Sequence, residues 1–148
     1  WLHSMKIQNV QIRSIEARRY SEITNQPQKV RIDHNSNVSR VEKIGKDGMR
    51  VDFQYTASYG PVGLIKIEGV LEYYGDNIDT LIADWNGKRK MPNEIASKIH
   101  TAIMHTCVPQ AVGIAKDLRL PPPIPLPQIQ VGKKQQKGSS SGLGPEFA

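Results

Sequence analysis

The feature that most constrains this chain is a strict two-residue alternation in the segment MRVDFQYT, residues 49–56. Its odd positions are apolar or aromatic (Met49, Val51, Phe53 and Tyr55), and its even positions are charged or polar. Successive side chains of a β-strand point to opposite faces of the sheet, so this pattern predicts a strand with one buried and one solvated face. Such strands are typical of an antiparallel sheet that is covered on one side only.

Flanking segments predict further strands of that sheet. The turn-forming residues GKDG, 45–48, join an upstream strand to this one, and LIKIEGVLEYYG, residues 64–75, returns after a second turn. An N-terminal strand over residues 6–20 changes the phase of its alternation, which predicts a bulge near Ser14. Gly69 interrupts the last strand and indicates a bulge or a close approach of two backbones.

Two polar segments are predicted to lie outside regular structure. The first is HNSNVS, residues 34–39, which contains the Asn and Ser residues that favour turns. It follows a short alternating strand that is predicted over residues 30–34. Residues 76–90 contain an Asn-Gly pair and are predicted to form a polar connection.

The segment MPNEIASKIHTAIMHTC, residues 91–107, predicts a helix. Its apolar positions recur at helical spacing, and Pro92 suits a first helical turn, where a missing N–H costs nothing. Pro109 is predicted to end or kink this helix, after which a second short helix can follow. The apolar positions are Ile95, Ile99, Ala102, Ile103 and Cys107. Strands first and helices last predict an α+β fold.

The segment LRLPPPIPLPQIQV, residues 118–131, contains five prolines within seven residues. Proline fixes φ and lacks the backbone donor, so this segment cannot join a helix or a central strand. It can be a flexible linker, a polyproline II ligand for an SH3-type domain, or an arm that packs on its own protein. The leucines and isoleucines between the prolines favour an extended arm that leaves the helix at Leu118.

A chain of 148 residues corresponds to about one domain, which we assign to residues 6–131. Residues 1–4 and 132–148 are expected to be flexible sequence added during cloning, because the latter segment is Gly/Ser-rich and lacks periodicity. No apolar run approaches the roughly 18 residues of a membrane span, and no secretory signal follows the start, so we expect a cytoplasmic protein.

Candidate catalytic or metal-binding residues are few. His100 and His105 are five residues apart on the predicted helix, which is not the i, i+4 spacing of a metal-binding pair. Cys107 is the only cysteine, and its place on the apolar side of the helix predicts a buried, unreactive thiol. The glycines at 45–48 and 59–63 lack the strand–loop–helix context of a nucleotide-binding loop. We therefore expect no enzymatic activity, no cofactor and no metal.

The order and spacing of these segments resemble the SecB family of export chaperones and its SecB-like relatives. The most specific match is VDFQYTASYG followed by LIKIEGVLEYYG, and the second is the helix with its downstream segment RLPPPIPLPQI. The resemblance covers residues 6–131. It implies a four-stranded antiparallel sheet, one long helix that is kinked or broken near Pro109 and packs on one face, and a proline-rich extended arm.

The resemblance also implies a function. SecB-like proteins are ATP-independent holdases that bind exposed apolar segments of unfolded proteins in surface grooves, and they assemble as dimers or dimers of dimers. Whether such a protein serves export, a toxin–antitoxin system or general proteostasis stays open.

Exposed apolar and aromatic side chains are the expected contacts for clients, because contiguous apolar surface marks interaction sites. The candidates are Ile44, Tyr55, Tyr59, Tyr73, Tyr74, Leu118, Leu120, Ile124 and Leu126. Self-association through a sheet edge or a helix is the other use of such a surface.

The alternative function is nucleic-acid binding by arginines of the early strands. These residues are Arg13, Arg18, Arg19, Arg31 and Arg40. The formal net charge of +6 is mild, and three of the lysines lie in the C-terminal segment. Unfolded proteins are therefore the preferred partner, and nucleic acid is not expected to be one.

Overall fold

The computed structural model describes residues 5–23 and 30–124, which form an antiparallel sheet and two helices. The strands are β1 (Lys6–Arg19), β2 (Asp33–Ile44), β3 (Gly48–Ser58) and β4 (Gly63–Tyr74), and the helices are α1 (Ile78–Lys88) and α2 (Asn93–Asp117). The strand order is β1-β4-β3-β2, so β3 and β4 are central and β1 and β2 lie at the edges. This arrangement confirms the α+β class and the four-stranded antiparallel sheet.

The reversals between β2, β3 and β4 use glycine in the left-handed conformation. Gly45 has a φ of 62° and Gly60 a φ of 61°. Glycine takes such values without the steric cost that a side chain imposes. Both turns therefore form where the sequence predicts them.

One face of the sheet forms the hydrophobic core under α2. The predicted alternation is observed, since the odd-numbered side chains from Met49 to Tyr55 are at most 1% exposed. Ile67 pairs with Tyr55 and Leu71 with Val51, so β4 presents its apolar residues to the same face. Helix α2 buries a row of residues spaced four apart: Ile99, Ile103, Cys107, Ala111 and Ala115.

Both edge strands are irregular at the same level of the sheet. The register of β1 with β4 shifts between Ile12 and Ser14, where a bulge is predicted, and the register of β2 with β3 shifts after Val38. The pairs Ile12–Gly69, Gly69–Phe53 and Phe53–Val38 run straight across all four strands. These two irregularities therefore lie at opposite ends of one row of residues, and a further register shift in β1 lies between Gln8 and Gln11.

Two predicted loops are wrong. Residues 34–39 belong to β2, because pairing with β3 satisfies their backbone while the strand keeps one face and one edge in solvent, where Asn and Ser are tolerated. Residues 76–90 contain α1, which buries Ile78, Leu81 and Trp85. Burial of these three side chains stabilises a short helix in a segment of polar composition.

Helix α2 continues through Pro109, so the residues after this proline extend the same helix instead of forming a second one. Proline removes the amide that would bind the carbonyl of His105, at a typical cost of about 3 kcal/mol. Pro109 and His105 are both exposed, so water can bind that carbonyl. Burial of Cys107 and Ala111, on either side of the proline, stabilises the continuous helix.

The chain that follows α2 packs on the protein as far as it is described. Leu120 and Pro123 are buried, and the Tyr59 hydroxyl donates a hydrogen bond of 2.6 Å to the carbonyl of Pro121. Residues 125–131 of the predicted arm lie outside the described residues.

Replacing Gly69 with alanine is expected to lower the free energy of unfolding by about 1–3 kcal/mol, as overpacking does. The added methyl group would overlap the carbonyl oxygen of Gln11 and lie 2.7 Å from the Phe53 ring. The matched control is Gly113→Ala in α2, where a methyl group meets nothing within 4 Å. This control is expected to raise stability by up to about 1 kcal/mol. Urea denaturation measures both, and an unchanged Gly69→Ala variant would contradict the close contact.

Candidate functional site

An open groove lies beside the edge strand β2, where α1 and α2 flank the sheet. Its volume is about 480 Å³. Val38, Met91 and Ile99 make part of the lining apolar, whereas Arg89 and His100 are basic. The full lining consists of Ser36, Asn37, Val38, Ser39, Trp85, Arg89, Met91, Ala96, Ile99 and His100. The groove thus places an apolar surface next to polar groups.

The register of β2 determines which of its side chains face the helices. Ser36 pairs with Tyr55 and Val38 with Phe53, whose side chains belong to the buried face. Within residues 5–23 and 30–124, β2 pairs with β3 alone, so the outer side of its backbone has no strand partner. Such unpaired N–H and C=O groups can bind another extended chain.

Helix α1 contributes an aromatic ring and a cation to the groove. The guanidinium of Arg89 stacks on buried Trp85, with 4.1 Å between the guanidinium carbon and the ring centroid. Arg89 has a φ of 56°, and its amide donates to the Trp85 carbonyl at 2.8 Å. A left-handed conformation costs a non-glycine residue about 1–2 kcal/mol. Helix α1 therefore ends in a strained residue whose side chain packs on the indole.

Two histidines connect β2 with its surroundings. Nδ1 of His100 in α2 lies 2.6 Å from Oγ of Ser36, and Nδ1 of His34 lies 2.9 Å from the hydroxyl oxygen of Tyr55. Burial lowers the pKa of His34, and the neighbouring Asp33 carboxylate opposes this effect. Burial raises the pKa of the Tyr55 phenol, which stays protonated and can donate to neutral His34.

The buried titratable groups of the core favour their neutral forms. Burial raises the pKa of the Cys107 thiol to about 11 and that of the Tyr59 phenol to about 12. The nucleophilic thiolate of Cys107 is therefore rare at neutral pH. Among the described residues, no three His, Cys, Asp or Glu side chains come together as a metal site. The described residues of the groove can therefore bind a ligand through apolar packing and hydrogen bonds.

Four of the predicted client contacts lie in the core. Tyr55, Tyr59 and Tyr73 are at most 1% exposed, and Leu120 is also buried. Tyr55 and Tyr73 extend the apolar rows of β3 and β4, so the helices cover them. A client cannot reach these side chains unless the helices move away from the sheet.

The other predicted contacts lie at separate places. Ile44 and Tyr74 are half-buried, and their register places them on the sheet face opposite the helices. Leu118 is half-buried at the end of α2, and Ile124 is 45% exposed. Leu126 lies outside the described residues. None of the described candidates lines the groove beside β2.

Trp85 and Arg89 are absent from the predicted contacts because residues 76–90 are predicted to form a loop. A signal for α1 is present, since its apolar residues recur at the i, i+3, i+4 and i+7 spacing of a helix. These residues are Ile78, Leu81, Ile82 and Trp85. Recognition of this pattern would place an aromatic residue beside the sheet.

A second apolar surface lies at the opposite edge of the sheet. Ile15, Tyr20 and Ile23 are 46%, 56% and 54% exposed. Ile15, Tyr20 and Leu64 help to line a second open pocket of about 480 Å³ along β1. In the part of the chain that the structure describes, β1 pairs with β4 alone, so its outer backbone has no strand partner.

Three of the five arginines considered for nucleic-acid binding are engaged within the protein. Arg19 donates to main-chain carbonyls at the end of α2, at 3.3 and 2.9 Å. Arg31 and Arg40 form ion pairs of 3.1 and 3.2 Å with neighbouring carboxylates. These pairs reduce the positive charge that the early strands present.

A scan against protein-family models and a search of curated proteins each returned no match to this chain. Neither helix in the described ranges is long and apolar enough to cross a lipid bilayer. The functional interpretation therefore depends on the geometry and chemistry of the groove.

Acidification from about pH 7.5 to about pH 5 is expected to lower the free energy of unfolding, in part through His34. Its pKa is lower in the folded protein than the ordinary 6.5, so the unfolded chain binds the proton more tightly. The stability from neutral His34 is present above pH 6.5 and is lost as the pH falls through the folded pKa.

Urea denaturation across this pH range measures the effect. His34→Gln is expected to reduce the dependence of stability on pH, and His105→Gln, at an exposed position of α2, serves as the control. An unchanged pH dependence in His34→Gln would contradict this role of His34.

Proposed function

We propose that this protein is an ATP-independent holdase-type chaperone that binds exposed apolar segments of unfolded proteins. The observation that carries the proposal is the groove beside β2, where a partly apolar lining borders a strand edge that has no strand partner among residues 5–23 and 30–124. An unfolded segment can pair with β2 as an additional strand and place alternate side chains in the groove. Neither interaction requires nucleotide hydrolysis or a catalytic group.

The two interactions explain broad client recognition. Burial of one large apolar side chain contributes about 1.5–3 kcal/mol, and each main-chain hydrogen bond contributes about 1 kcal/mol. The 12 residues of β2 limit how many such contacts a single segment makes. Affinity then depends on the apolar and extended character of the segment more than on its exact sequence.

The resemblance of residues 6–131 to SecB and SecB-like chaperones supports the same function. That family implies a four-stranded antiparallel sheet with helices on one face, and the chain adopts a sheet and helices of this kind. We propose the cytoplasm as the site of action, because newly made chains expose apolar segments there before they fold.

Residues 118–124 are proposed to close the core instead of binding clients. Burial of Leu120 and Pro123 and the hydrogen bond from Tyr59 to Pro121 support this assignment. Arg19 donates to main-chain carbonyls at the start of the arm and so helps to fix it against β1.

The edge of β1 is proposed to mediate self-association into a dimer or a dimer of dimers. An unpaired strand edge beside exposed Ile15 and Tyr20 can pair with the same edge of a second copy. This arrangement leaves the groove beside β2 accessible, because the two strands lie at opposite edges of the sheet.

Met91→Gln is expected to weaken client binding about fivefold to tenfold, because it removes part of the apolar lining. The measurement is suppression of aggregation of a denatured test protein, followed by light scattering over a range of chaperone concentrations. Ile124→Gln removes an exposed apolar side chain outside the groove and is expected to behave as the parent.

The two variants separate the possible results. A parent protein that does not suppress aggregation at a stoichiometric ratio would refute the holdase function. A defect in Ile124→Gln without one in Met91→Gln would place client binding on the arm and not in the groove.

A further inference from the structure

The groove beside β2 is lined by basic side chains and, among the described residues, by no carboxylate. Among the described residues that line it, the ionisable side chains are Arg89 and His100, and none is Asp or Glu. Lys88 and Lys90, which flank Arg89, and Asp84 all lie outside the lining. An occupant of the groove therefore meets basic groups.

Three carboxylates on the neighbouring elements form ion pairs with residues outside the groove lining. Lys43 donates to Asp79 of α1 at 2.7 Å, and Arg31 donates to Asp33 of β2 at 3.1 Å. Glu42 of β2 pairs with two arginines at 3.2 and 3.3 Å. These carboxylates do not neutralise the basic groups of the lining.

Arg89 is well placed to bind an anion. Its guanidinium carbon lies 4.1 Å from the centroid of the Trp85 ring, and the residue is exposed, so guanidinium N–H donors are accessible to a ligand. Nδ1 of His100 lies 2.6 Å from Ser36, which leaves Nε2 as the ring nitrogen available to a ligand.

The backbone at Arg89 gives an independent reason to assign it a function. Its φ of 56° is a value that glycine takes without strain, yet the nearby Gly87 lies inside helix α1. Folding alone would favour glycine at position 89. Strained residues of this kind are concentrated at functional sites.

We propose that the groove prefers extended segments in which a carboxylate side chain stands two residues from a large apolar one, with Arg89 and His100 binding the carboxylate. This inference rests on the proposed function and specifies its clients. Residues two apart on a strand point to the same face, about 7 Å from each other. The apolar side chain packs against Val38 and Met91, while the guanidinium binds the carboxylate through paired hydrogen bonds.

Three blocked peptides with one phenylalanine test the preference: Glu-Thr-Phe-Thr-Glu, Gln-Thr-Phe-Thr-Gln and Lys-Thr-Phe-Thr-Lys. The symmetric sequences make the result independent of strand direction. Binding is read from the fluorescence of Trp85 in a Trp1→Phe background, which leaves one tryptophan. At low salt the Glu peptide is expected to bind about tenfold more tightly than the Gln peptide. The Lys peptide is expected to bind most weakly, and added salt is expected to narrow the differences.

Variants at the end of α1 assign the preference to one residue. Arg89→Gly is expected to abolish the difference between the Glu and Gln peptides without lowering the urea midpoint, because glycine tolerates this conformation. Arg89→Lys keeps the charge but loses the planar pair of donors, so an intermediate preference is expected. Lys90→Gln removes an adjacent charge outside the lining and is expected to keep the full preference.

The possible results distinguish this inference from the proposed function. Equal affinities for the three peptides would overturn the inference and leave the holdase function intact, because the neutral peptide still binds. A preference for the Glu peptide that persists in Arg89→Gly would also overturn it. Absence of binding by all three peptides would overturn both.

Discussion

A single helix is too narrow to cover a four-stranded sheet. Neighbouring strands lie about 4.8 Å apart, and a helix with its side chains is about 10–12 Å wide, so one helix covers roughly two strands fully. In this protein the central strands β3 and β4 carry the buried rows, and α2 lies over them. Helix α1 covers part of the remaining surface near β2, and the groove is the space that the two helices leave open.

The two edges of the sheet consequently differ in what they can bind. The β2 edge has a wall formed by Trp85 and Met91, so it suits one extended strand whose side chains enter the groove. The pocket at the β1 edge is lined by residues of β1 and β4 and by Tyr20, and this edge exposes Ile15 and Tyr20, which suits a partner such as the same edge of another copy. The two proposed interactions, client binding and self-association, therefore lie at different edges of the sheet.

Much of the fold can be predicted from the sequence because the apolar residues of β3 and β4 keep one two-residue phase, which is broken only by Gly69. The alternation identifies the core face, and Gly69 and Ser14 mark the backbone irregularities before any coordinates are available. The Asn- and Ser-rich part of β2 is not predictable in this way, because its partner strand determines its conformation. Helix α1 is also hard to predict, because the Asn86-Gly87 pair suggests a turn, whereas burial of Leu81 and Trp85 stabilises a helix.

The candidate site is harder to predict because residue type does not determine exposure. Tyr55 and Tyr73 are aromatic and therefore attractive as contacts, yet their positions in the alternating rows place them under the helices. The groove combines a strand edge with the end of a helix more than 40 residues away in sequence, and no local pattern indicates that they meet.

Hydrogen exchange of backbone amides, followed by NMR with and without a bound unfolded polypeptide, tests whether clients bind along the outer edge of β2. We expect the polypeptide to slow exchange at those amides of β2 that point away from β3, and at residues of the groove lining. Slower exchange confined to β1, or none at the outer edge of β2, would contradict the claim that this edge and its groove bind the client.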